Sequence, residues 1–277
     1  MGTGQTLLLG AIAGFTIFLG LPIGRVSGTS ARFRTALCAI ATGILLFLLW
    51  DVLAHAVEPV EETLKDGSYG RFAWLALLLT GGFAAGLMTL VYYAGWLGGR
   101  RRTKLVGPGA AAVDEFEGRG RLELLGHGQR LALLIATGIG LHNFGEGLAI
   151  GQSAAAGELS LALTLIIGFG LHNATEGFGI IGPMAAEGER PSWGFLALLG
   201  VIGGGPTFLG TLVGQAWVSE ALSVAFFAVA AGSILYVVQE LFHVNRRFGT
   251  PELVTWMVFL GLVLGFGTDF VLEAVGG

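Results

Sequence analysis

Gly138-Ile139-Gly140-Leu141-His142-Asn143-Phe144-Gly145-Glu146-Gly147 returns thirty residues later as Gly168-Phe169-Gly170-Leu171-His172-Asn173-Ala174-Thr175-Glu176-Gly177. Each copy sets a His and a Glu four residues apart, which puts them on one face of a helix. Each copy also lies in the middle of an apolar stretch long enough to cross a bilayer. An imidazole and a carboxylate at membrane depth are costly unless they bind each other, water or a cation. Two copies in the same pattern point to a site.

Composition assigns the class. Apolar residues make up 53% of the chain and charged residues only 12%, against about 25% charged in a soluble domain. Mean hydropathy is +0.75. The 48 glycines let helices approach closely in lipid, where tight packing is the cohesive force. These values predict an all-α integral membrane protein and exclude a soluble domain. The formal charge of −4 says nothing about partners, because the charges are segregated into loops, and no nucleic-acid partner is expected. Cys38 is the single cysteine, so one chain holds neither a disulfide framework nor a cysteine-based metal cluster. It reads as a small packing residue.

No basic residue precedes Arg25, so the basic start of a signal peptide is missing and a retained first helix is expected. Met1-Gly2-Thr3-Gly4-Gln5-Thr6 fits a myristoylation pattern, but the expected topology puts this end outside. Charge and turn residues divide the chain into eight spans near 4–24, 36–57, 72–98, 131–154, 160–184, 193–217, 221–244 and 253–273, in a single domain covering 1–277. Arg25, Arg32 and Arg34 then fall on the same side as Arg190, Arg246, Arg247 and the Arg/Lys of the linker 99–130. Thirteen of the fifteen basic residues share that side, and only Lys65 and Arg71 lie opposite. The positive-inside rule makes the linker cytoplasmic and places both termini outside. The linker is Gly/Ala-rich, with Asp114, Glu115 and Glu117 beside Arg119 and Arg121, and reads as flexible; His127 near its end reads as a solvated loop residue.

Spans four and five are joined by a short connection near Ala154–Glu158, so they run antiparallel. Side by side, they bring His142 level with Glu176 and His172 level with Glu146, with the Asn143 and Asn173 amides adjacent. A direct repeat on antiparallel helices is related by a pseudo-twofold in the membrane plane, as at the midplane sites of transporters. Neutral imidazole with carboxylate suits Zn²⁺ and its first-row neighbours. The flanking glycines are expected to let the backbones close around ions and to loosen the helices locally. The alternative is a mutually satisfied polar packing network.

His142-Asn143-x-x-Glu146-Gly147 and His172-Asn173-x-x-Glu176-Gly177 resemble the HNxPEG motifs of the fourth and fifth helices of ZIP (Zrt/Irt-like) divalent-metal transporters, nearest the GufA-like branch. Gly182-Pro183 also resembles the family pattern. Asp51, His55, Glu58 and Pro59 loosely resemble its span-two ending. Ala231 through Leu241, with Glu240, resembles its seventh helix. The resemblance covers nearly the whole chain. It implies eight helices with both ends out, a metal set of His142, Asn143, Glu146, His172, Asn173 and Glu176, and Zn²⁺ or another first-row divalent cation as bound substrate. It further implies ATP-independent passage toward the cytoplasm, a homodimer, and a multi-pass protein of the plasma membrane rather than an enzyme.

The chain departs from the pattern in three places. The proline before each glutamate is Gly145 in one copy and Thr175 in the other. The span-six glutamate is Thr207, in Gly203-Gly204-Gly205-Pro206-Thr207-Phe208-Leu209-Gly210. The linker is not His-rich. The missing span-six acid keeps a non-transporting, metal-binding relative open as a second reading. An intramembrane metal-dependent hydrolase is the third, although HExxH is absent and a near-symmetric motif suits passing an ion better than activating one water. Asp51, His55 and Glu58 at the outer end of span two, with Asp269 and Glu273 on span eight, form a candidate entrance or else ordinary interfacial charge. Gln239, Glu240 and His243 end span seven as a candidate exit relay, the alternative being a solvated helix end. Trp and Phe elsewhere are expected to face lipid or anchor at the interface.

Overall fold

The computed structural model describes residues 2–26, 30–97, 125–157 and 159–276. Among the described residues there is helix and turn and no strand. Helix α1 runs Thr3–Phe15, breaks at Thr16, and continues through Ile17–Gly20 into a 3-10 turn, Leu21–Arg25. α2 is Ala31–Lys65, α3 Tyr69–Leu97, α4 His127–Ala155 and α5 Leu159–Glu187. α6 is Trp193–Ala216, α7 Glu220–Phe248 and α8 Pro251–Gly276. Among the described residues seven of the eight segments have the length and apolarity of a membrane span. The eighth, α5, is 29 residues long, the same as α4.

The chain writes its own helix starts. Ser30, Ser192 and Ser219 each accept a hydrogen bond from the backbone three residues on, at 3.1, 3.1 and 3.4 Å, satisfying an amide that would otherwise be orphaned. Gly67 at φ +71° turns the chain between α2 and α3, and Gly157 at φ +85° does the same between α4 and α5. The tight α4–α5 connection is the one the sequence leads one to expect.

The helices overrun the apolar stretches. α2 starts at Ala31 rather than 36 and continues through Pro59 to Lys65 rather than stopping at 57. α4 starts at His127, so the last four residues assigned to the 99–130 linker are helical. His127 is not a loop residue. Its Nδ1 lies 2.8 Å from Glu187 Oε1, and the Gly128 amide donates to Glu187 Oε2 at 3.0 Å. A carboxylate at a helix start satisfies orphaned amides and suits the helix dipole, which extends α4 past its apolar segment. The charges expected at Arg100–Arg121 lie outside the described residues.

Packing puts α4 at the centre. It is the most enclosed of the candidate spans, and α6 is its most extensive partner, ahead of α5 and α7. Glycine explains this pairing. A Cβ on Gly147 would stand 2.1 Å from the Thr207 carbonyl oxygen, and one on Gly210 would stand 2.1 Å from that of Phe144. Backbone therefore lies on backbone, and no larger residue fits either position. α4 nevertheless remains continuous helix across the motif. The glycines expected to loosen the helix instead close the α4–α6 crossing. α3 and α8 lie outermost and are largely uncovered. All six tryptophans are more than half exposed, as anchors at a lipid boundary are.

Candidate metal centre

Two turns of α4 and α5 carry the doubled motif into the middle of the bundle. His142, Asn143, Glu146, Asn173 and Glu176 are all at most 2% exposed. The i, i+4 spacing does what it promised: His142 Nε2 stands 3.0 Å from Glu146 Oε1. The antiparallel neighbour supplies the second carboxylate, with Glu176 Oε1 at 3.6 Å from the same nitrogen. His142 is thus level with Glu176. The His172 backbone lies in α5, but its side chain, like that of Glu273, lies outside the described residues, and so does its pairing with Glu146.

The asparagines come together with elements that the sequence did not single out. The Asn143 amide donates to Glu176 Oε2 at 3.2 Å and to the Gly203 carbonyl of α6 at 2.9 Å. The Asn173 amide donates to the Ala13 carbonyl of α1 at 3.0 Å, beside the break at Thr16, whose hydroxyl donates to the same oxygen at 2.6 Å. The Asn143 NH₂ is therefore shared between the Glu176 carboxylate and backbone, and the Asn173 NH₂ donates to backbone. Both amide oxygens, Asn143 Oδ1 and Asn173 Oδ1, are buried and have no hydrogen-bond partner. Glu146 Oε2, Glu176 Oε1, both ring nitrogens of His142 and Thr207 Oγ1 are likewise buried without one.

Such groups are expensive to bury unsatisfied. Except for the Thr hydroxyl and whichever ring nitrogen carries hydrogen, they offer lone pairs and no proton. A cation would satisfy several of them at once. Two donors each about 2.1 Å from a tetrahedral ion stand about 3.4 Å apart. The 3.0 and 3.6 Å separations around His142 Nε2 bracket that spacing. Among the described residues, however, no three His, Cys, Asp or Glu side chains already form a closed metal cage. The donor set fits a divalent ion that must draw its ligands in.

Thr207 is fully buried, and its carbonyl packs on Gly147, next to Glu146. α6 thus brings the Thr207 backbone beside Glu146, while its neutral hydroxyl lies against Gly14 of α1. Asp51 on α2 is half-buried, within electrostatic range of His142, His55 and Asp269. His55 Nδ1 lies 3.6 Å from Asp51 Oδ1. Exposed His55 and Glu58 line an open cavity of about 450 Å³ with Glu61. On α7, Gln239 and His243 are exposed and Glu240 is half-buried. The polar residues that α7 turns inward are Ser233, which donates to the Gly138 carbonyl of α4 at 3.2 Å, and Asn245, which donates to Thr42 Oγ1 of α2 at 2.8 Å, both fully buried. Read from the sequence, span seven ends at 244, one residue short of Asn245.

No curated protein matches the chain. The family profile described as ZIP Zinc transporter matches residues 111–272, which contain both copies of the motif and Thr207. With more than half its length matched, the chain belongs to the ZIP family and is a multi-pass membrane protein of divalent-metal transport.

Proposed function

We propose that this protein carries a divalent cation, Zn²⁺ foremost, toward the cytoplasm through a midplane site made by His142, Asn143, Glu146, His172, Asn173 and Glu176. The observation that carries this reading is the buried set of lone-pair atoms around His142, left without hydrogen-bond partners while the asparagine NH₂ groups are committed to Glu176 Oε2, Gly203 O and Ala13 O. Family members are transporters rather than enzymes, and the metal is substrate, not a resident cofactor. Asp51, His55, Glu58 and Asp269 serve as the entrance, concentrating cations by their charge. Gln239, Glu240 and His243 serve the exit, on a helix surface that a released ion reaches only from outside the packed core. The protein acts as a homodimer in the plasma membrane, in the GufA-like branch, with both termini outside.

Zinc uptake into proteoliposomes tests this. The parent protein should load the vesicles, and His142→Ala/His172→Ala should abolish uptake while still inserting. Uptake by that double variant at the parent rate would remove the site assignment. Thr207 favours a second reading, a metal-binding relative without flux, because its hydroxyl replaces a carboxylate. Metal binding by the parent without any uptake would select it.

A further inference from the structure

A second cavity, which shares no lining residue with the metal centre, lies where the first segment ends against α5. It encloses about 220 Å³ among the 3-10 turn that ends α1, the first turns of α2, the last turns of α5 and the α5–α6 connection. Among the described residues Arg25, Arg34 and Arg190 line it, against a single carboxylate, Glu189. The floor is apolar: Ile23, Phe33, Leu37 and Ile181. Phe33 is 47% exposed, so this floor opens to the outside of the bundle. Arg25 is fixed in place, donating to the Pro191 carbonyl and lying 4.7 Å over the Trp193 ring.

Guanidinium groups match phosphate oxygens with parallel N–H donors, and basic pockets between helices at a membrane face take anionic headgroups. Three cations against one anion leave a net positive lining. Burial, and then the neighbouring charge of Glu187, push the Glu189 carboxyl above its usual range, which further weakens it as a counter-charge. Free phosphate offers the same oxygens but no chain to lie on the apolar floor. We propose that this cavity binds the phosphate group of an anionic membrane lipid, with its acyl chain running out past Phe33. Such a ligand would tie the end of α1 to α5. That joint is tight, since a Cβ on Gly20 would meet the Ala174 carbonyl at 2.3 Å, two residues before Glu176.

The test titrates phosphatidylglycerol into the full-length, detergent-solubilised protein and reads retained lipid by native mass spectrometry, with phosphatidylcholine as the zwitterionic reference. Phosphatidylglycerol should be retained in preference, and Arg34→Gln/Arg190→Gln should weaken retention by about tenfold or more, as for loss of charge-assisted hydrogen bonds. Arg190 is exposed, so Arg190→Gln alone supplies a folded variant with a smaller loss in the same direction. Arg246→Gln/Arg247→Gln removes equal charge from two exposed residues outside the cavity and should change little. An equal loss in that pair would mean diffuse surface attraction and overturn the proposal. So would indifference between the two lipids. Inorganic phosphate should compete only weakly; full displacement of the lipid at comparable concentration would identify a free-anion site and overturn the lipid assignment.

Discussion

Thr207 is expected to decide how many ions the proposed centre holds. Two carboxylates, Glu146 and Glu176, balance one divalent ion, and a close second ion would be repelled in a low-dielectric interior unless further carboxylates offset it. One ion should bind tightly and a second weakly. Thr207→Glu should strengthen the second binding step and slow release, because a transported ion must not be held too firmly. Metal titration of the purified protein reads both steps; two equal, tight steps in the parent would show that charge from elsewhere completes the site. Asn143→Ala should weaken binding less than Glu146→Ala, a neutral amide oxygen being the poorer ligand, and equal losses would contradict that ranking. The His142–Glu146 contact was legible in the sequence because i, i+4 spacing is a property of any helix. The partners of the two asparagines were not. Gly203 O and Ala13 O are backbone atoms of other helices, and nothing in a residue's type says which carbonyl will face it.

Helix pairing was only half legible. Glycine density announced close packing, and the doubled motif drew attention to α4 against α5. The most extensive crossing is α4 against α6 instead. The signal lay in the glycines of both helices, Gly147 and Gly151 on one and Gly210 and Gly214 on the other, each spaced by four and so on one face. This crossing also sets the height of Thr207 beside Glu146. Gly147→Ala or Gly210→Ala places a methyl against backbone oxygen at 2.1 Å, where no side chain can swing aside. Each should destabilise by about 1–3 kcal/mol, the ordinary range for overpacking. Gly205→Ala in the same helix has only an ordinary contact at 3.9 Å and should be neutral or slightly stabilising, since alanine favours helix. Thermal unfolding in detergent compares the three; a Gly147→Ala protein as stable as Gly205→Ala would mean that the two backbones are not in contact.

At the scale of the whole molecule, orientation rests on charge. The described helices end where the basic residues cluster: Arg25 closes the first segment, Arg32 and Arg34 open α2, and Arg246 and Arg247 close α7. The α2–α3 turn, which carries Lys65 and lies next to Arg71, is at the other end of α2. The contact of His127 with Glu187 brings the start of α4 to the end of α5, so the start of α4 and the Arg190 turn share a face independently of any rule about charge. Which face meets the cytoplasm is argued only from the count of basic residues, because the bilayer's asymmetry is not a property of the fold. Cysteine labelling in sealed cells resolves it. The native Cys38 is fully buried and should stay silent, so single introduced cysteines report alone. Ser68→Cys, at an exposed position in the α2–α3 turn, should react with an impermeant thiol reagent added outside. Ala112→Cys in the linker should react only after the membrane is opened. Uptake toward the cytoplasm requires the Asp51–His55–Glu58 end of α2 to face the outside, and Ser68 lies beyond that end of the same helix. Labelling of Ala112→Cys in intact cells with protection of Ser68→Cys would therefore invert the molecule, and the acidic end of α2 would become the exit.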